Sequence, residues 1–338
     1  MVRVLIAGLV AMVIAVAVGP QFIRWLRKQS IGQHIREEGP AGHVVKQGTP
    51  TMGGLLILVA ALVPALAVSL YTIPGVTILL ATLACALIGF SDDYLKVRRR
   101  RSLGLKGRWK LLLLLGITVV VSFAVEQQSR IGTSIYIPIA DFDLPLSYAF
   151  YPFLFFVIAG AANGVNLTDG VDGLAAGTGI IALLTFLAIN VIGYIRSGPP
   201  TDRSEFQLDL AILAAALMGG VIGFLWYNAF PAELFMGDTG SMAIGGALAG
   251  FAIVTGTEAL LILIGGIYVV VALSVMIQVL SFKYTGKRVF LMAPLQHHFE
   301  MKAWSETKIM VRFWIVGAIL AACGFVLYYR YYLQFSLQ

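Results

Sequence analysis

Three short motifs place aspartates at the ends of long apolar segments, where carboxylates could do chemistry. The motifs are GFSDDYLK at 89–96, NGVNLTDGVDG at 163–173 and FMGDTGS at 235–241. Their carboxylates belong to Asp92, Asp93, Asp169, Asp172 and Asp238. Scattered single carboxylates suit a magnesium ion, which keeps several octahedral positions for water and substrate phosphate oxygens. The motifs therefore favour metal-assisted chemistry on a phosphate.

Helix capping is the competing explanation for some of these aspartates. Asp169 or Asp172 could cap the helix that follows them. Asp92 and Asp93 come at the C-terminal end of an apolar segment, where the helix dipole disfavours negative charge, so capping does not explain this pair. Their charge must be compensated by positive charge. The candidates are Lys96 with the arginines at 98–101, a bound divalent cation, or both. Adjacent helical residues point about 100° apart, so we expect different roles for Asp92 and Asp93.

Asp238 is the candidate metal ligand. Gly237 and Gly240 stand beside it, and residues without a side chain let the backbone approach a ligand closely. A capped start of the next helix is the alternative interpretation of the same residues.

The second motif spaces its polar residues evenly, with Asn163, Asn166, Asp169 and Asp172 three residues apart. On an ideal α-helix these steps spiral through about 180° in total, so the four side chains would not line one edge. We therefore expect a loop or a tighter turn, permitted by the glycines between them, to bring the set together as a pocket floor.

Two further motifs could contact phosphate. KQGTPTMGG at 46–54 is glycine-rich but lacks the Walker spacing, and Gly53 and Gly54 could serve helix packing instead. APLQHHFE at 293–300 contains His297 and His298. Neighbouring side chains diverge, and no third nitrogen or sulfur ligand is near, so hydrogen bonding to a phosphate is favoured over zinc.

The segments that position these motifs are membrane spans. The chain has 338 residues, of which 59% are hydrophobic and 12% charged, and its mean hydropathy is +0.88. These values predict a single all-α polytopic membrane domain over residues 1–338 with about ten transmembrane helices. The predicted spans are 4–23, 52–71, 74–91, 109–125, 148–162, 174–195, 208–227, 242–257, 259–282 and 313–333. In the ninth span, Gly265 and Gly266 predict a bend.

Orientation follows from the basic loops. Most of the 24 lysines and arginines fall in three connections on one face, which the positive-inside rule places in the cytoplasm, with both termini outside. The aspartate motifs lie on that same face. The net charge of +7 is then explained by basic residues in the cytoplasmic loops, which attract anionic lipid headgroups. Nucleic acid is not an expected partner.

Together the motifs resemble, in kind and order, those of the phospho-N-acetylmuramoyl-pentapeptide transferases, within the polyprenyl-phosphate N-acetylhexosamine-1-phosphate transferases. GTPTMGG and PLQHHFE favour this branch over relatives that use another UDP-sugar. One departure stands out, because the family usually has three consecutive histidines where this chain begins with Gln296. We therefore expect the functional role of this motif to depend on His297 and His298.

The resemblance implies transfer of phospho-MurNAc-pentapeptide from UDP-MurNAc-pentapeptide to undecaprenyl phosphate, with Mg²⁺ required, in a bacterial plasma membrane. It implies Asp92 as base or nucleophile, Asp93 as its support, Asp238 on magnesium, and His297 and His298 near the sugar phosphate. It assigns the nucleotide-sugar pocket to Lys46, Lys96, Asn163, Asn166, Asp169, Gly170, Asp172, Asn228 and Phe235. Membrane lipids and a homodimer are the further partners implied.

An ion-coupled secondary transporter is the rival of a different class. It would place carboxylates near the bilayer midplane, within broken helices in matched halves of the chain. The aspartates here cluster at the ends of spans on one face, which favours the transferase.

Overall fold

The computed structural model describes residues 1–29, 48–99, 103–128, 132–138 and 140–336. Within these ranges the chain forms twelve α-helices and one hairpin of two β-strands. The helices are α1 Val2–Lys28, α2 Gly54–Val68, α3 Ile73–Arg99, α4 Gly107–Glu126, α5 Phe150–Thr168, α6 Leu174–Arg196, α7 Glu205–Asn228, α8 Gly237–Thr255, α9 Glu258–Ile264, α10 Gly266–Thr285, α11 Leu295–Glu300 and α12 Glu306–Ser336.

Nine of the described helices are long and apolar enough to cross a membrane. The predicted all-α polytopic class is thus confirmed, and α2 is the shorter apolar helix in the position of the second span. The predicted bounds 52–71 are too wide for α2. Before α2, Gly53 N donates to Phe235 O. After α2, Ser69 and Thr72 hydroxyls bind the carboxylate of buried Asp209 on α7. The side of the membrane on which the termini lie stays a prediction.

The predicted bend in the ninth span is confirmed as a break between α9 and α10. Gly265 separates the two helices with φ −96° and ψ 24°, outside the α-helical region. Gly266 begins α10, and a Cβ at this position would lie 2.6 Å from a carbon of the Leu320 side chain on α12. The glycine pair therefore interrupts the span and lets α12 pack closely beside it.

Several helices extend beyond their predicted bounds, including two that carry the polar motifs. α3 continues to Arg99 and α5 to Thr168, so the aspartates of the first motif and the asparagines of the second are helical. An ion pair between Asp92 and Lys96, four residues apart, supports the extra turns of α3. Outside the helices, β1 (Ser134–Ile137) pairs antiparallel with β2 (Phe142–Pro145) in the connection from α4 to α5.

Helix α8 lies at the centre of the bundle and packs by direct backbone contact. A Cβ at Gly246 would lie 2.7 Å from Ala81 O on α3, and a Cβ at Gly245 would lie 2.5 Å from Ala161 O on α5. Small residues at such interfaces let membrane helices approach closely. The same device operates at the first turn of α8, where a Cβ at Gly89 of α3 would lie 2.1 Å from Asp238 O.

Gly89→Ala should destabilise the protein, because the new methyl group would collide with backbone atoms that cannot rotate away. We expect a loss of roughly 1–3 kcal/mol, the usual cost of overpacking, measured as a lower midpoint of thermal unfolding in detergent. Gly116→Ala in α4 is the matched control, since a Cβ there meets nothing within 4 Å. Equal midpoints for the two variants would contradict the close contact between α3 and α8.

Candidate active site

One end of the bundle holds a polar cavity of about 370 Å³. The C-terminal ends of α3 and α5 meet the N-terminal ends of α4 and α8 there, because consecutive spans run in alternating directions. Its described lining consists of Asp92, Lys96, Leu103, Gly104, Leu105, Lys110, Asn166, Leu167, Asp169, Gly170 and Asp238. The sequence prediction that the aspartate motifs converge is confirmed for all three motifs.

Three carboxylates form the centre of the site. One oxygen from each of Asp92, Asp93 and Asp238 lies within 4.8 Å of the others. Asp92 and Asp93 are only 1% and 2% exposed. Carboxylates so close and so buried repel one another unless positive charge or hydrogen bonds compensate.

Asp93 is compensated by the first turn of α8. Its Oδ1 accepts from Asp238 N at 3.1 Å, and its Oδ2 accepts from Thr239 N at 2.9 Å and Thr239 Oγ1 at 2.7 Å. A carboxylate at a helix N-terminus satisfies free amides and complements the helix dipole. Capping of α8 by Asp238 itself is therefore wrong, because the cap comes from α3. Asp92 and Asp93 therefore have different contacts, and their different roles stay a prediction.

Two lysines compensate the other carboxylates. Lys96 Nζ lies 2.6 Å from Asp92 Oδ2 and 2.9 Å from Asp238 Oδ1. Lys110 Nζ lies 3.0 Å from Asp92 Oδ1 and 2.6 Å from Asp238 Oδ2. The sequence predicts Lys96 as a compensating cation but does not single out Lys110. The signal for Lys110 is its place directly before the apolar run LLLLL of α4, since a charge there is costly unless it is paired.

A short backbone segment covers Asp92. Leu105 N donates to Asp92 Oδ1 at 2.7 Å. A Cβ at Gly104 would lie 2.5 Å from the carboxylate atoms of Asp92, so only glycine permits this approach. Gly104 and Leu105 belong to no motif of the sequence, so only the fold shows that they contribute to the site.

The second motif divides between helix and turn. Asn163 and Asn166 belong to α5, and only the residues from Asp169 to Gly173 leave the helix, so the expected loop over the whole set is wrong. Asn163 Nδ2 donates to Ala159 O in its own helix. Asn166 Nδ2 donates to Ser241 Oγ on α8 and lines the cavity.

The two aspartates of the turn have separate surroundings. Asp172 Oδ2 accepts from Ala232 N in the connection after α7, and α6 begins after Gly173 without a side-chain cap. Capping of α6 by either aspartate is therefore wrong. Asp169 faces the cavity, where burial above all, and then the negative charges of Asp238, Asp93 and Asp172, raise the pKa of its carboxyl group to about 8. The site thus holds a surplus of negative charge near Asp169.

Two of the remaining predicted pocket residues, Asn228 and Phe235, lie around the connection between α7 and α8. Asn228 is buried and bridges two backbone segments, accepting from Gly173 N and donating to Leu234 O. Phe235 is half-buried, and its backbone pairs with Pro50 and Gly53 before α2. Lys46 lies outside the described residues.

The two histidines of the last motif face different neighbours. His297 Nδ1 pairs with Glu300 Oε2, and a Cβ at Gly170 would lie 2.9 Å from His297 Nε2. His298 Nδ1 accepts from Leu291 N, so its proton lies on Nε2. Burial and the nearby charge of Lys302 lower the pKa of His298. His297 therefore borders the turn beside the cavity, and Glu300 is its orienting partner that sequence reasoning had not singled out.

The carboxylate cluster fits a divalent metal ion. The donors are all carboxylate oxygens, which hard cations prefer, and the adjoining cavity leaves room for water and phosphate oxygens. Asp92 and Asp238 form ion pairs with the two lysines, so their oxygens already face positive charge. Both oxygens of Asp93 accept hydrogen bonds from the first turn of α8 instead. In the described part of the chain, this trio is the group of acidic, histidine or cysteine side chains close enough to hold an ion.

A match to a protein-family pattern identifies the general class of the protein. The pattern of Glycosyl transferase family 4 matches residues 76–256, which include every aspartate of the cavity. Fold and site together define a multi-pass membrane transferase of this family.

Similar individual proteins identify the branch of this transferase family. The chain is 48% identical over 336 residues to the phospho-N-acetylmuramoyl-pentapeptide-transferase of Rubrobacter xylanophilus, covering 97% of this chain and 98% of the relative. It is 43% identical over 328 residues to the same enzyme of Desulfitobacterium hafniense, covering 96% and 98%. Signature 1 of these transferases matches residues 46–58. The chain belongs to the phospho-N-acetylmuramoyl-pentapeptide-transferase family.

Proposed function

We propose that this chain transfers phospho-MurNAc-pentapeptide from UDP-MurNAc-pentapeptide to undecaprenyl phosphate, forming lipid I and releasing UMP for peptidoglycan synthesis. The observation that carries the proposal is the site of three close carboxylates and two lysines at the end of a membrane bundle. Such a position suits a reaction between a water-soluble nucleotide sugar and a lipid phosphate. We place this end at the cytoplasmic face of a bacterial plasma membrane.

Magnesium is the proposed cofactor, held by Asp238 with Asp92 beside it. When bound, it would clamp the diphosphate and neutralise charge on the departing UMP. Lys96 and Lys110 already lie within ion-pair distance of both carboxylates. They supply further positive charge, which phosphoryl transfer needs because two anionic phosphates must approach each other.

Asp92 is the proposed base for the acceptor phosphate. Its carboxylate is positioned beside the cavity by Lys96, Lys110 and Leu105 N, so that an acceptor phosphate in the cavity would lie within hydrogen-bond reach of it. A nucleophilic role would require Asp92 to leave these partners and reach phosphorus in line. Asp93 supports the base indirectly, by fixing α8 and with it Asp238.

The nucleotide sugar is proposed to lie along Asn166, Asp169 and Gly170, which line the same cavity as Asp238. Asn163, Asp172 and Asn228 bind backbone or helix atoms around this turn and would shape the pocket. Phe235 would pack against the uracil, and Lys46 is proposed to contact phosphate. His297 and His298 would lie near the sugar phosphate. Assembly as a homodimer is proposed from the family resemblance.

Donor choice tests the proposed reaction. Purified protein with undecaprenyl phosphate should release UMP from UDP-MurNAc-pentapeptide, and chelation of divalent cations should abolish this release, because the carboxylate site then lacks the charge that balances the diphosphate. UMP release can be followed by a coupled assay. Turnover of UDP-GlcNAc with no turnover of the muramyl substrate would instead assign the chain to a relative that uses another sugar.

Asp238→Asn and Asp92→Asn should each lower turnover by at least about 100-fold, because each removes a charge on which the transition state depends. Both variants keep the shape of the side chain and should still fold and insert. Asp202→Asn is the matched control, since Asp202 is exposed in the connection between α6 and α7 at the opposite end of the bundle. Near-normal activity in the first two variants would overturn their roles.

A further inference from the structure

The side chain of Gln296 joins α11 to the end of α5. Its Nε2 donates to Leu167 O at 2.8 Å, and the residue is 0% exposed. His297 and His298 beside it are half-buried. Gln296 therefore faces the protein interior, although it stands where the family that the motifs resemble usually has its first histidine.

The hydrogen bond from Gln296 completes the C-terminal cap of α5. The last four carbonyls of a helix have no partner within the helix. Three of those in α5 accept from backbone amides of the turn that follows, namely Val165 O and Asn166 O from Asp169 N, and Thr168 O from Gly170 N. The fourth is Leu167 O, which accepts from Gln296. The cap ends where the cavity residues Asp169 and Gly170 begin.

The neighbouring residue of α11 touches the same turn. A Cβ at Gly170 would lie 2.9 Å from His297 Nε2 and 3.4 Å from Gln296 Nε2. The pairing of His297 Nδ1 with Glu300 leaves Nε2 as the ring nitrogen on the side of Gly170. Gln296 and His297 thus hold α11 against the turn through two adjacent contacts.

We infer that Gln296 is a positioning residue for the transfer reaction. By capping α5, it fixes the turn that carries Asp169 and Gly170 and docks α11 with His297 beside that turn. Gln296 acts through these residues and does not touch the substrate. The expected effect on kinetics rests on the proposed function. The expected effect on the turn after α5 rests on the hydrogen-bond geometry alone.

Two substitutions separate hydrogen bonding from packing. Gln296→Leu keeps most of the volume but removes the donor, whereas an imidazole N–H in Gln296→His can still donate to Leu167 O. Gln296→Leu also removes Oε1, which is buried without a hydrogen-bond partner among the described residues. Because Leu167 O loses its donor while the unpaired Oε1 also disappears, the midpoint of thermal unfolding of Gln296→Leu should fall by only a few degrees relative to the wild type.

Hydrogen exchange of peptides that cover 163–173 tests the structural consequence without any need for turnover. In Gln296→Leu, the amides of Asp169 and Gly170 should exchange about five- to tenfold faster, as expected for the loss of one hydrogen bond, and Gln296→His should restore protection. Gln128→Leu is the matched control. Gln128 is also buried and donates to a helix carbonyl, Ala124 O, but at the opposite end of the bundle.

Steady-state kinetics test the positioning role. In Gln296→Leu, kcat/KM for UDP-MurNAc-pentapeptide should fall about five- to tenfold through a higher KM, with the KM for undecaprenyl phosphate within about twofold. A purely structural loss would lower kcat alone, since fewer molecules would be folded. Unchanged exchange and kinetics in Gln296→Leu, or equal losses in the leucine and histidine variants, would overturn the inference. A wild type without UMP release would refute the proposed function, and hydrogen exchange would still decide the role of Gln296.

Discussion

The site depends on the contact between α3 and the first turn of α8. Gly89 lets the two backbones meet, since a Cβ there would lie 2.1 Å from Asp238 O. One turn further along α3, Asp93 accepts hydrogen bonds from Asp238 N, Thr239 N and Thr239 Oγ1. The contact therefore fixes both the distance and the rotation of the two helices. Because Asp92 belongs to α3 and Asp238 to α8, the hydrogen bonds of Asp93 set the relative position of the two carboxylates in the candidate metal site.

Charge balance is the second constraint. Asp92, Asp93, Asp169 and Asp238 lie close together, and Lys96 and Lys110 are the cations within ion-pair distance among the described residues. The raised pKa of Asp169, about 8, reflects burial and the neighbouring carboxylates. A site with this composition could hold a divalent cation, because its carboxylates outnumber the lysines paired with them. Asp93 and Gln296 hold helix ends beside this site, through hydrogen bonds to the first turn of α8 and to the last turn of α5.

Much of this arrangement could be predicted from the sequence. Hydropathy located nearly all spans, and Gly265 marked the broken one, because apolar length and glycine act locally. The aspartate motifs were identified because charge beside an apolar segment is costly. Partners from distant parts of the chain could not be predicted, since no local pattern shows that Asp93 caps α8, that Lys110 pairs with Asp238, or that Gln296 caps α5. For the same reason Asp169 and Asp172 were open to interpretation as caps of α6, and only the fold excluded it.

Asp238, with Asp92 beside it, is proposed to form a divalent-cation site. Electron paramagnetic resonance of Mn²⁺ added to the purified protein tests it directly, since Mn²⁺ shares the preference of Mg²⁺ for oxygen ligands. We expect bound Mn²⁺ that Mg²⁺ displaces, with affinity at least about tenfold lower in Asp238→Asn and unchanged in Asp202→Asn. Equal Mn²⁺ affinity in the wild type and in Asp238→Asn would show that Asp238 does not bind the ion.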